Sequence, residues 1–132
     1  FTAHSIPHAD PGVATYAGQI ETSAAQIAHS LGFTQWKIAY QSRSGRPQDP
    51  WLEPDVNDVL KELALQGVRN VIIAPIGFVC DNIEVLYDLG IEARKTAKEA
   101  GLYLLLAKTV GEDPAFIDAL ATLVMEAMGR EI

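Results

Sequence analysis

The chain has 132 residues, 48% of them hydrophobic, a formal net charge of −7 and one cysteine. That is enough apolar material for one compact core, so residues 1–132 are read as a single domain. Sparse, scattered Lys and Arg in an acidic chain exclude a phosphate-tracking nucleic-acid surface, and Cys80 alone can form neither an internal disulfide nor a thiolate-held cluster.

In chain order, "FTAH" reads as a first strand ending on His4, with Pro7 just beyond it. A helix follows, with Tyr16, Ile20, Ala24, Ile27, Ala28 and Leu31 spaced along one face and Gly32 as its stop. "WKIAY" is a second strand, and the long connection "QSRSGRPQDPWLEPDV" leads to a helix with Val56, Val59, Leu60, Leu63 and Ala64 inward, stopped at Gly67. "VIIAPI" is a third strand, "EVLYDLGIE" opens a further helical stretch closed at Gly101, and "YLLLA" is a fourth strand. Asp113 as N-cap and Pro114 at the first helical position open a last helix, whose inward residues are Phe116, Ile117, Leu120, Leu123, Val124 and Ala127.

The order βαβαβαβα, with short and nearly continuous apolar strands, predicts an α/β fold: an open parallel four-stranded sheet with helices on both faces. The longest apolar run, "VIIAPIGFVC", is too short to span a membrane and contains Pro75 and Gly77. With no basic-then-apolar signal segment, the expectation is a cytoplasmic protein without a membrane anchor.

In such a sheet ligands bind outside the carboxyl ends of the strands. That edge collects His4, the segment Gln41–Ser42–Arg43, and "GFVCDNIE", so His4 and Glu84 are expected at one crevice. Glu84, Asp88 and Glu92 recur every four residues, a spacing that drifts about 40° per step on an α-helix and less on a wider π-type turn. The stripe is either a solvated acidic face, whose like-charge repulsion costs a few tenths of a kcal/mol per pair, or a path for cations or protons. His4 is either a satisfied strand-end residue or, with Glu84, a base or metal ligand. His8 and His29 read as exposed, Cys80 as a packing thiol, and Trp51 as either packed under its own loop or a ligand contact. "SRSGRP" lacks the spacing of a phosphate-binding glycine loop, which removes the usual support for nucleotide binding.

The segments "FTAHSIP", "YQSRSG", "DPWLEPDV", "VIIAPIGFVCDNIEVLYDLGIE" and "PAFIDALATLV", in this order, resemble the carboxyl-terminal half of ferrochelatase, the enzyme that inserts ferrous iron into a porphyrin in haem synthesis. The resemblance covers nearly the whole chain, is nearest to bacterial cluster-free members, including coproporphyrin ferrochelatases, and implies a Rossmann-like chelatase domain. It places the family's motif histidine on His4 and its motif glutamate on Glu84, the catalytic metal-insertion pair. Further acidic positions of a helix described as π-type fall on Asp88 and Glu92, and Ser42 and Trp51 fall near the porphyrin cleft. No tightly bound cofactor is implied, and ferrous iron enters as substrate. The sequence departs from the family pattern at Asn82, where a histidine is usual, at Gly90, where an aspartate is common, and near the first helix, where "GDPY" survives only as Gly12 and Tyr16.

The resemblance also implies a partner, the preceding half of a two-half enzyme, which this chain does not contain. Two rival readings use the same residues: a half-size class II tetrapyrrole chelatase that completes its cleft as a homodimer, and a non-catalytic porphyrin- or haem-binding module.

Overall fold

The computed structural model describes residues 1–129. Its elements are β1 (Thr2–His4), α1 (Val13–Leu31), β2 (Ala39–Gln41), α2 (Val56–Leu65), β3 (Asn70–Ile73), a π-helix (Val85–Ala93) running into α3 (Arg94–Glu99), β4 (Tyr103–Leu106) and α4 (Pro114–Ala127). Gly32, Gly67 and Gly101, the three expected helix stops, all have positive φ, a conformation that closes a helix at little cost only for glycine. Asp113 caps α4 as expected, its carboxylate accepting from the Ala115 amide at 3.0 Å.

The strands are parallel, but they form two two-stranded ladders rather than the single four-stranded sheet expected. β1 pairs with β2, His4 opposite Gln41, and β3 pairs with β4. The break has a local cause: beyond the end of β3 at Ile73, the Ile76 amide, which a continued parallel ladder would donate to the Thr2 carbonyl, turns back to the Ala74 carbonyl at 3.0 Å. Two bonds still join the ladders. The Thr2 amide donates to the Ala74 carbonyl at 2.9 Å, and the Gly77 amide donates to the Thr2 carbonyl at 3.1 Å.

Side-chain alternation divides the core between the two faces of this layer. Ala3 and Tyr40 pack with Ile20 of α1, whereas Ala39 packs with Val56 and Leu60 of α2, Val85, Leu89 and Ala93 of the π-helix, and Ala97 of α3. Helices therefore lie on both faces of β1–β2. Over β3–β4 this expectation fails, because Ile72 and Leu105 remain 55% and 48% exposed. α4 buries none of its residues, leaving Leu120, Leu123 and Val124 exposed, and on α1 the inward row ends early, with Ile27 and Leu31 also exposed. Leu31 lies one turn beyond the last buried residue, Ala28.

The closest approach is at Gly77, where an added Cβ would stand 2.6 Å from the Ala3 Cβ and 2.7 Å from its Cα. Gly77→Ala should destabilise the fold by about 1–3 kcal/mol through this clash. Gly18→Ala, where a Cβ meets nothing within 4 Å, should stabilise α1 by about 0.5–1 kcal/mol. Urea midpoints of the two variants check both signs.

Candidate functional site

β1 brings His4 to the rim. Since Ala3 faces α1, Thr2 and His4 face the other way, onto the side where the π-helix packs. Gln41 shares that side with Ala39. His4 is half-buried, with the Phe78 ring edge-on to its imidazole at a centroid distance of 6.3 Å. His4 Nδ1 hydrogen-bonds the Ser5 carbonyl oxygen. A carbonyl can only accept, so the neutral ring carries its proton on Nδ1 and keeps the Nε2 lone pair for another partner.

The π-helix supplies the acids. Its buried residues Val85, Leu89 and Ala93 recur every four positions. A four-residue spacing keeps such a row on one side of a helix, as Ile20, Ala24 and Ala28 stay buried on α1. Glu84, Asp88 and Glu92 each precede a buried residue by one, so they line the margin of the buried face: Glu84 and Asp88 are half-buried and Glu92 is exposed. Asn82 starts the helix, its side-chain oxygen accepting from the Val85 amide at 2.9 Å and its carbonyl from the Leu86 amide at 3.0 Å. The connection before it is tied down as well, Thr109 Oγ1 donating to the Asp81 carboxylate at 2.8 Å and the Gly111 amide to the Val79 carbonyl at 2.7 Å.

Ser42 joins the two parts. It follows β2 with φ of 66°, a left-handed conformation uncommon for a non-glycine residue, and its hydroxyl donates to the Asp88 carboxylate. His4 lies on the strand face against which the π-helix packs, but no hydrogen bond joins it to Glu84, and Glu84 makes no side-chain bond among the described residues. Among those residues no three His, Cys, Asp or Glu groups gather into a metal-holding cluster. His4, Glu84 and Asp88 therefore form no closed cage of ligands among the described residues.

Trp51 is half-buried beside this edge. Its ring covers Gly45 of its own loop, and its backbone bridges Pro7 in antiparallel fashion. Arg43, exposed, braces the loop by donating to the Pro47 and Asp49 carbonyls, at 2.7 and 2.9 Å. A cavity of about 390 Å³ opens behind it, lined by Ser5, Tyr40, Arg43 and Leu52 among others, but neither His4 nor Glu84 reaches it. His8 and His29 are exposed, as expected; Cys80 is exposed too, contrary to its reading as a packing thiol, because it sits in the connection beyond β3 rather than behind the strand.

Several residues were not singled out by sequence. Asn82 was noted only as a departure from a motif, although an Asn three residues before an apolar run is a capping signal. Gln41 is buried with both amide atoms lacking a protein partner, as is the Thr2 hydroxyl, so the side facing the π-helix has a polar lining that periodicity does not reveal.

The ferrochelatase family model matches residues 1–128. The chain belongs to the ferrochelatase family. It is 44% identical to a coproporphyrin III ferrochelatase of Propionibacterium freudenreichii over 99% of its own length and 40% of that protein's. It is 46% identical to a coproporphyrin III ferrochelatase of Mycobacterium ulcerans over 96% of its length and 38% of the relative's. A ferrochelatase of Rhodopirellula baltica is 40% identical over 98% of this chain and 37% of that protein. The chain therefore spans about two fifths of the ferrochelatases it matches. In fold it is similar to the crystal structure of a cobalamin (vitamin B12) biosynthesis CbiX protein from Marinobacter aquaeolei, with a TM-score of 0.68 at 21% identity, covering 98% of this chain and 95% of that one. Within the described residues of this ferrochelatase-family chain, no helix is long and apolar enough to cross a membrane.

Asn82→Ala should cost about 0.5–2 kcal/mol, the usual value of an N-cap, while Asn82→Asp keeps the accepting oxygen and most of the stability. Faster amide exchange at Val85 in the alanine variant alone is the local check.

Proposed function

We propose that this chain is the half of a ferrochelatase that carries out metal insertion, acting on a porphyrin and ferrous iron with His4 and Glu84 as the working pair. The observation that carries the reading is that His4 and the acidic helix lie on one side of the strand layer, with His4 Nε2 unprotonated in the neutral ring. Inserting the ion releases two pyrrole protons and strips water from the metal. Nε2 can accept one proton as general base, and Glu84 can stabilise the resulting imidazolium or take the proton onward. Asp88 and Glu92 continue outward from Glu84 as a carboxylate path for protons or hydrated iron. Weak, open coordination suits this chemistry, because a closed site would retain the ion instead of yielding it to the macrocycle. Ser42 would set the orientation of Asp88 through its hydroxyl, and Trp51 would form an apolar lip for the flat substrate.

Coproporphyrin III, the substrate in the names of two of the relatives above, is the porphyrin to try first. The bare face of β3–β4 and the exposed apolar row of α4 support a further half that covers them, since contiguous apolar surface on this scale marks an interface. The homodimeric reading draws on the CbiX-like fold alone, and a strict monomer in sedimentation of this 132-residue polypeptide would remove it.

In the complete enzyme, His4→Ala should lower the rate of metalloporphyrin formation by about 10²–10⁴-fold, the range a positioned general base supplies. Glu84→Gln should impair turnover while leaving porphyrin binding, followed by spectral titration, intact. Near-normal insertion by His4→Ala would refute the assignment.

A further inference from the structure

The His4–Ser5 peptide is held at both ends by groups that have no part in the chemistry above. From α1, the Tyr16 hydroxyl donates to the His4 carbonyl at 3.0 Å. On the opposite edge of the same peptide plane, the Ser5 amide donates to the Gln41 carbonyl at 2.8 Å. The Ser5 side chain, fully buried, then donates through Oγ to the Leu52 carbonyl at 2.8 Å, and the Leu52 amide donates back to the Ile6 carbonyl at 3.0 Å. With its peptide plane and its Cβ both fixed, Ser5 has one direction left for its own carbonyl, and His4 Nδ1 bonds to that carbonyl.

We infer that Tyr16 and Ser5 are positioning residues for His4: together they aim the Ser5 carbonyl at Nδ1, which selects the ring tautomer and turns Nε2 toward the side of the acidic helix. Neither side chain hydrogen-bonds the imidazole. Both act through the one carbonyl that does, and Ser5 also ties the base to Leu52, next to Trp51 on the lip of the loop. Burial, with Tyr40 adding to it, pushes the Tyr16 phenol above its ordinary value, against a smaller opposite effect of the bond to His4, so it remains a donor at neutral pH. Without either anchor the peptide plane can rock, the Ser5 carbonyl leaves Nδ1, and the ring is free to move its proton to Nε2, where it blocks the lone pair.

The inference rests on the assignment of His4 as the working imidazole, and the test separates the two. In the complete enzyme with ¹⁵N-labelled histidine, the His4 signals, assigned by their loss in His4→Ala, should show the Nδ1–H tautomer in the unaltered protein. Tyr16→Phe, which keeps the ring in its apolar cluster, and Ser5→Ala should each give a mixture containing Nε2–H. Each should also lower kcat by about 10–100-fold, the range for a small misplacement of a reacting group, with KM for the porphyrin changed less than about twofold. If the unaltered enzyme shows His4 mainly as Nε2–H, the inference is overturned without recourse to any variant. It is equally overturned if His4→Ala is inactive while Tyr16→Phe and Ser5→Ala keep both the tautomer and the turnover. Normal turnover by His4→Ala would instead strike at the function proposed above.

Discussion

Two backbone bonds at Thr2 carry the organisation of this site. The β1–β2 ladder brings His4, Gln41 and Ser42, and the connection after β3 brings Glu84 and Asp88, and no strand pairing joins the two ladders. The Thr2 amide bonded to Ala74 and the Thr2 carbonyl bonded to Gly77 lock β1 against the segment leaving β3. This contact is possible because Gly77 has no Cβ to collide with Ala3. Ser42 adds a second tie through Asp88. A shift of one residue in β1 would turn His4 to the α1 side and separate it from every carboxylate in the π-helix.

The π-helix shows how packing and chemistry share one constraint. Burying Val85 and Leu89 is worth about 1.5–3 kcal/mol for each side chain, which offsets the poorer fit of an i→i+5 backbone. The same four-residue spacing that keeps these residues inward keeps Glu84, Asp88 and Glu92 in a row at the margin. Repulsion among them stays small because the row climbs from half-buried Glu84 to exposed Glu92, where water screens charge. An acidic row running from the half-buried to the exposed end of the helix is thus a by-product of the residue spacing that packs the core.

The comparison of sequence with structure is sharpest where local chemistry and long-range packing part company. The glycine stops, the Asp113 cap and the order of strands and helices were all legible, because each depends on residue type and short spacing. The single sheet was not. β3 stops at Ile73 although apolar residues continue to Ile76, whose amide turns back to the Ala74 carbonyl, and hydropathy does not register where an amide points. Nor was the bare face of β3–β4: Ile72 and Leu105 read as buried because apolar character marks a surface that will be covered, without saying by what.

The amino-acid sequence by itself determined the family and the parallel α/β layout, since both follow from which residues occur and how far apart they stand along the chain. The tertiary structure alone decided which face of the strands His4 occupies, that Ser42 meets Asp88, and that Tyr16 and Ser5 hold the peptide beside the imidazole. Those contacts join residues 12 to 47 positions apart. They form because strand register and the close approach at Gly77 fix the distances, and no local pattern encodes a distance across a sheet.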